Sequence, residues 1–178
     1  MAAASGARAI RLYEDRDHRP VRQLFIAINR ELAPVRLRAE FEQYIAVGLR
    51  EEMDRIPDYY RVDGQLSFWV MVDGDCLLGT VALERTTDVA LDLRRLYVNA
   101  AFRGQGIGRW MLQHAERTAV AMGYREMLLS TSELQTAAIA LYRKDGYQLI
   151  REEVATDRTS KQAGAGLTRY YFRKQLPA

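Results

Sequence analysis

The chain has 178 residues, 48% of them hydrophobic, and 26 lysines and arginines against 23 acidic residues leave a net charge of +3. That length buries one core of ordinary size, so a single domain over 1–178 is expected; the near balance of charge excludes the dense basic stripe of a nucleic-acid binder while leaving room for a small anionic ligand. No run of about 18 apolar residues occurs, which predicts no membrane span. The alanine-rich opening MAAASGARAIRLYEDRDHR turns charged too early for a targeting leader. The one cysteine, Cys76, rules out an internal disulfide framework and fits a reducing, cytoplasmic compartment.

In chain order, RAIRLYE (8–14) alternates as a strand does, and DHRPVRQLFIAINREL (17–32) follows with Leu24, Phe25 and Ile28 on one helical face. RAEFEQYIAVGLREEMDRI (38–56) is a second helix, its stripe of Phe41, Tyr44, Ile45, Leu49, Met53 and Ile56 stopped by Pro57. LSFWVMVDGDCLLGTVALER (66–85) reads as two strands about the turn Asp73-Gly74, and VALDLRRLYV (89–98) as a third. A helix follows the glycine-rich run RGQGIG (103–108), then the strand EMLLSTS (126–132) and the helix LQTAAIALYRKDG (134–146), ended by Gly146. The strands YQLIREEV (147–154) and LTRYYFRKQL (167–176) close the chain, with the polar, glycine-bearing loop ATDRTSKQAGAG (155–166) between them. The order β-α-α-β-β-β-α-β-α-β-β predicts a mixed sheet in which antiparallel hairpins flank at least one parallel crossover.

Gly104, Gly106 and Gly108 strip side chains from the place where a strand gives way to a helix, so several amide N–H groups can face one anion with the helix dipole behind them. Arg103 and Arg109 flank that run and supply the full charges a diphosphate wants. The nucleoside-triphosphate loop and the dinucleotide fingerprint are both excluded, since the spacing is G-x-G-x-G and no lysine followed by serine or threonine is present there. The bland alternative is a glycine-rich turn without a ligand.

The strand LRRLYV (93–98), the run RGQGIG fitting [Q/R]-x-x-G-x-[G/A], the helix after it, and LQTAAIALYRKDGYQLI fitting N-x-x-A-x-x-L-Y-x-x-x-G-[FY] together resemble the GNAT superfamily of acyl-CoA N-acyltransferases. Gln135 departs from that second motif, where asparagine is usual, and the glutamine makes the stretch similar to the camello-like branch. The resemblance implies an α/β fold of mixed α+β character: a central sheet of about seven strands, splayed between two parallel strands and flanked by about four helices. It implies acetyl-CoA as co-substrate, its pantetheine arm lying along free backbone of Leu96, Tyr97 and Val98. The diphosphate would rest on the amides of 104–109, and Arg103, Gly104, Gln105, Gly106, Ile107, Gly108, Arg109 and Gln135 would count among the cofactor-binding residues.

The implied reaction is direct acetyl transfer to a primary amine in a ternary complex, with a small-molecule amine as the acceptor and a peptide amine, or a non-catalytic acyl-CoA-binding domain, as alternatives. A lysine-like amine of pKa about 10.4 costs roughly 4.6 kcal/mol to deprotonate at pH 7, an α-amine near 7.8 only about 1, so a base matters more for the first. Glu84, near the end of one central strand, and Asp92, near the start of the next, are the carboxylates on offer, each equally readable as a solvated or salt-bridged side chain. The Val98 amide would stabilise the oxyanion. Tyr142, in the motif position of the family's tyrosine, would protonate the leaving thiolate; its alternative is a core aromatic on the last helix. The acceptor side would be walled by the second helix, the turn at 86–88 and the loop 155–166, with Arg38, Arg50, Tyr59 and Tyr60 as candidate contacts, unless Arg50 belongs to a solvated face. His18 and His114 read as cap-region and helix-edge residues, Cys76 as a small buried hydrophobe, and no cluster spells a metal site. No nucleic-acid or membrane partner is expected, and the chain would act as a monomer or a homodimer.

Overall fold

The structure, a computed structural model, describes residues 7–159 and 161–177. The first six residues, on which part of the untargeted reading of the N-terminus falls, lie outside the described residues. In order along the chain come β1 (Ala9–Leu12), α1 (His18–Leu32), α2 (Arg38–Glu51), α3 (Ile56–Tyr59), β2 (Arg61–Val62), β3 (Gln65–Leu66), β4 (Phe68–Asp73), β5 (Cys76–Arg85), β6 (Ala90–Val98), α4 (Ile107–Ala121), β7 (Glu126–Ser132), α5 (Thr136–Lys144), β8 (Gln148–Ala155) and β9 (Leu167–Gln175). Seven strands form one mixed sheet in the order β1-β4-β5-β6-β7-β9-β8; β6 and β7 are its parallel pair. The two-residue strands β2 and β3, which the sequence reading did not separate, make a small hairpin beside it.

Period-2 alternation sends successive residues of β4 to opposite faces. Phe68 and Val70 pack with Phe25 and Ile28 of α1 and with Tyr44, Ile45 and Leu49 of α2. Trp69 and Met71 pack with Met111, Leu112 and Ala115 of α4. The sheet thus lies between two helical layers, and every residue of the expected α2 stripe is buried. The stripe does not run as one helix to Pro57, however. α2 ends at Glu51, a 3-10 turn covers Met53–Arg55, and Pro57 sits in the first turn of α3, where its missing N–H leaves no helical bond unmade. At the break, Glu52 adopts φ −126° and ψ −62° and is fully buried. Cys76, expected to be buried, is exposed at the first position of β5.

The feature that positions the site is an irregularity in β6. Thr80 pairs with Tyr97 and Ala82 with Arg94, so two residues of β6, Arg95 and Leu96, oppose the single residue Val81. Arg95 is held at φ +52°, a left-handed conformation costly for a side chain of its size, and its carbonyl accepts a 2.8 Å bond from the Thr80 hydroxyl. Pairing of β6 with β7 stops at Leu93 opposite Leu129, and beyond it the two parallel strands diverge. Gly79 is part of the same device: a Cβ there would meet the Tyr97 carbonyl oxygen at 2.5 Å and the Met111 sulfur at 2.9 Å. Gly79→Ala must therefore push β5 from β6 at the bulge. It is expected to cost about 1–3 kcal/mol, lowering Tm by roughly 2–4 °C per kcal/mol, measured by thermal denaturation against the wild-type chain.

Candidate active site

The gap between the diverging strands is a cleft walled by α2 (Phe41, Tyr44), by β6 from Leu93 to Tyr97, by Ser130 to Ser132 of β7, and by the segment between β8 and β9. Tyr142, Gln135 and Arg169 face the same space. Because β6 has no pairing partner on its β7 side after Leu93, the backbone of 94–98 presents hydrogen-bonding groups to this cleft, an open edge inside the molecule.

Glu84 and Asp92, the two expected carboxylates, stand directly opposite each other across β5 and β6. Like charges in that register repel, and cations gather to offset them. Arg94 is 3.6 Å from Asp92, 3.8 Å from Glu84 and 3.7 Å from Glu52, and the Lys161 ammonium is 2.8 Å from Glu84 Oε1. Burial pushes the Asp92 carboxyl above its usual range, opposed by Arg94 and Lys161. The three Arg94 contacts are ion pairs too long for hydrogen bonds. Accordingly Arg94 Nε, Glu84 Oε2 and Glu52 Oε1 are buried without a hydrogen-bond partner, although Arg94 is only 6% exposed. Across the cleft, Arg169 donates to the Ser130 hydroxyl at 2.7 Å, and its guanidinium is held below the usual range by burial and by Arg94 nearby.

Arg95 is fixed from several sides. It donates to Glu52 Oε2 at 2.6 and 3.0 Å and to the Tyr44 and Tyr97 hydroxyls, and it lies 4.9 Å over the Phe25 ring. The Tyr60 hydroxyl donates to the same Glu52 oxygen at 2.6 Å. Burial alone would raise the Glu52 carboxyl; Arg95 and Arg94 overcome this and hold it below the usual range.

At the glycine run, Gly104 and Gly106 adopt φ +77° and +78°, and Gly106 is the N-cap of α4. The first helical bond there is from Trp110 N–H to Gly106, which leaves the amides of Ile107, Gly108 and Arg109 without helical acceptors. Open space surrounds the position of a Cβ at Gly104 or Gly106. The surface fits a diphosphate by shape and by its aligned donors. The two flanking arginines already have partners: Arg103 holds Glu31 of α1 through two bonds of 2.6 and 2.7 Å, and Arg109 holds Asp145 at 2.9 Å. Gln105 accepts from Arg8 at 2.6 Å.

Gln135 occupies the N-cap of α5 and accepts from the Thr131 hydroxyl at 2.9 Å and the Ser132 amide at 3.3 Å, so it fastens the end of β7. Tyr142 is 6% exposed, against Tyr147 and Phe172, and burial pushes its phenol well above its usual range, so it stays protonated through neutral pH. It is both a core aromatic and a wall of the cleft.

The expected acceptor contacts need correction. None of Arg38, Arg50, Tyr59 and Tyr60 lines the cleft. Arg50 pairs with Glu51 on the solvated face of α2; Tyr60 is wholly buried on Glu52; Tyr59 packs edge-on against Tyr60, its phenol pushed up to about 12 by burial. The turn at 86–88 is likewise outside it, held by Arg85. Arg94, Arg169, Ser130 and Lys161 line the cleft instead. Their only signal in the sequence is a pair of charges, Arg94 and Arg95, in the middle of an otherwise buried strand.

The pattern of the acetyltransferase (GNAT) family matches residues 35–147. The chain is 36% identical to N-acetyltransferase family 8 member 3 of Rattus norvegicus over 113 residues, 61% of this chain and 50% of that one. It is 31% identical to N-acetylaspartate synthetase of Danio rerio over 110 residues, 61% of this chain and 39% of that one. The chain thus spans half or less of the length of these two curated relatives. Among solved structures, yncA of Salmonella typhimurium, an acetyltransferase determined with acetyl-CoA, superposes with a TM-score of 0.68 at 17% identity, covering 97% of this chain and 96% of that one. By its sequence pattern over 35–147, and by a sheet that parts between two parallel strands, this chain belongs to the acetyltransferase (GNAT) family.

Proposed function

We propose that the chain transfers the acetyl group of acetyl-CoA to the primary amine of a small molecule that also carries a carboxylate. The observation that carries the reading is the cleft itself: an unpaired strand edge and a protonated tyrosine share it with Arg94 and Lys161, the two cations that hold the half-buried acidic pair Glu84 and Asp92 at its border. The edge suits the pantetheine arm, which would pair with Leu96 and Val98 as an added strand. The diphosphate suits the amides at 106–109. The solved relative with acetyl-CoA bound supports that co-substrate.

Glu84 and Asp92 would draw an acceptor ammonium to the border of the cleft, and Asp92, whose carboxyl burial raises, would take its proton. The Val98 amide would face the oxyanion as the amine attacks the thioester carbon. The Tyr142 hydroxyl would donate toward the departing sulfur and recover its proton from solvent, because a phenol raised so far cannot remain ionised.

A small acceptor is favoured over a peptide because the segment between β8 and β9 crosses the cleft and ties to α2 through Arg158 and Gln43. The carboxylate follows from charge. Arg95 is neutralised by Glu52, and Arg94 and Lys161 by the acidic pair, whereas Arg169 donates to the Ser130 hydroxyl and forms no salt bridge among the described residues. The name of the zebrafish relative, a synthetase of N-acetylaspartate, agrees with such an acceptor.

Three outcomes are expected. Gly106→Asp places a bulky negative group at the cradle, and calorimetry should show acetyl-CoA affinity reduced at least about tenfold, the scale of a lost charge-assisted contact. Tyr142→Phe keeps the ring and should lower kcat by roughly ten- to a thousandfold while acetyl-CoA binding survives; an unchanged kcat at saturation removes Tyr142 from the chemistry. In a thiol-release assay pairing each amino acid with its carboxamide and its decarboxylated amine, the carboxylate member should be preferred, and Arg169→Met should erase that preference by raising KM for it alone, by about tenfold or more.

A further inference from the structure

The chain has 26 lysines and arginines, of which only Lys144, Lys161 and Lys174 are lysines. Lys144 is exposed at the end of α5, and Lys174 is spent on Glu116, with both carboxylate oxygens at 2.8 Å. Lys161 alone lies in the cleft, on the wall shared with Leu96, Tyr97 and Tyr142. Its ammonium is 2.8 Å from Glu84 and contributes to the field on Asp92. A primary alkyl amine on that acidic pair is the arrangement that the proposed reaction requires of its acceptor.

The segment that carries Lys161 is shaped to hold it there. The Lys161 amide donates to the Thr159 hydroxyl at 3.0 Å, Thr159 and Gln162 form an isolated antiparallel bridge, and the Gln162 amide group donates to the Asp157 carbonyl at 3.0 Å. Gly164, at φ +70°, lets the chain pass so near 156–157 that a Cβ would fall 2.8 Å from Asp157. An arginine at 161 would satisfy Glu84 equally well as a charge, and the chain uses arginine almost everywhere else. What distinguishes lysine is chemical: its amine can lose a proton and attack a carbonyl carbon, whereas a guanidinium cannot.

We propose that Lys161 is an acetylation site of the protein's own centre. The inference rests on the reading of the cleft as an acetyl-transfer site. The Glu84–Asp92 pair takes one proton from the Lys161 ammonium; the nitrogen lone pair forms a bond to the acetyl carbon of acetyl-CoA as the carbon–sulfur bond breaks; the thiolate leaves with that bonding pair and takes a proton from Tyr142, which is restored through solvent by the second proton that the nitrogen sheds, to give free coenzyme A. The product is N-acetyl-lysine, neutral and unable to ion-pair with Glu84. The segment is thereby released from β5, and the acidic pair is exposed to a second amine.

The test is incubation of the full chain with acetyl-CoA, followed by intact mass and peptide mapping, beside a heat-unfolded sample and the Lys161→Arg and Tyr142→Phe variants. Parallel vials add the panel of small amines. The expected result is one acetyl group per chain, at Lys161, with first-order kinetics independent of protein concentration; Lys144 and Lys174 stay at the background of the unfolded chain, Lys161→Arg gains nothing, and Tyr142→Phe is slowed about tenfold or more. Equal labelling of Lys161 and Lys144, or equal rates folded and unfolded, overturns the proposal. A rate proportional to protein concentration overturns transfer within one chain. Turnover of an external amine with Lys161 left at background refutes the self-transfer alone, whereas no transfer to any amine, internal or added, refutes the reading of the cleft with it.

Discussion

The ion pair between Glu52 and Arg95, sealed inside the α1–α2 layer, fixes where β6 leaves the regular sheet, and the cleft depends on that departure. Two consecutive residues of a regular strand point to opposite faces. Arg94 and Arg95 nevertheless both reach Glu52, at 3.7 and 2.6 Å, because the bulge turns Arg95 back to the side of its neighbour. Thr80 holds the turned carbonyl, Gly79 leaves space for it, and the break between α2 and α3 delivers Glu52 to the partner guanidinium. Such a pair contributes little net stability against an apolar substitute, yet losing one member leaves the other charged and buried, at a cost of about 3–5 kcal/mol. Its role is one of placement: it specifies the position at which β6 and β7 stop pairing.

The same chain of contacts links the two halves of the proposed reaction. Arg95 shapes the strand edge on which the acyl donor would lie, and Arg94, the next residue back, binds together the acidic pair that would receive the acceptor. Glu52 touches both arginines, so the donor and acceptor sides share one buried anion. A displacement at Glu52 therefore reaches both substrates at once, in contrast with a site assembled from independent loops.

Much of this was legible in the sequence because it is local. Alternation and helical stripes located seven strands and four helices, and RGQGIG located the start of α4, since glycines where a strand gives way to a helix are a local signal. Glu84 and Asp92 were found by their places in adjacent strands, though only the register shows that they face each other. Arg94, Arg169 and Lys161 were not found. They come from three distant segments, and each alone reads as a surface charge; Arg38 and Arg50 fail as cleft residues because they lie on the solvated face of α2, and Tyr59 and Tyr60 because they pack away from the cleft, Tyr60 on Glu52. The short hairpin of β2 and β3 was missed because two residues carry no period.

The pairing of Arg103 with Glu31 has one more consequence. The Arg103 charge is already matched by Glu31, so on the proposed reading a diphosphate would not meet a bare cation there but would compete with a carboxylate anchored at the end of α1. Entry would then cost one ion pair for each one formed at that arginine, and on departure Glu31 would be at hand to reclaim its partner. Such an exchange would leave the free amides at the start of α4 as the main hold on the diphosphate and make the spent carrier easier to release.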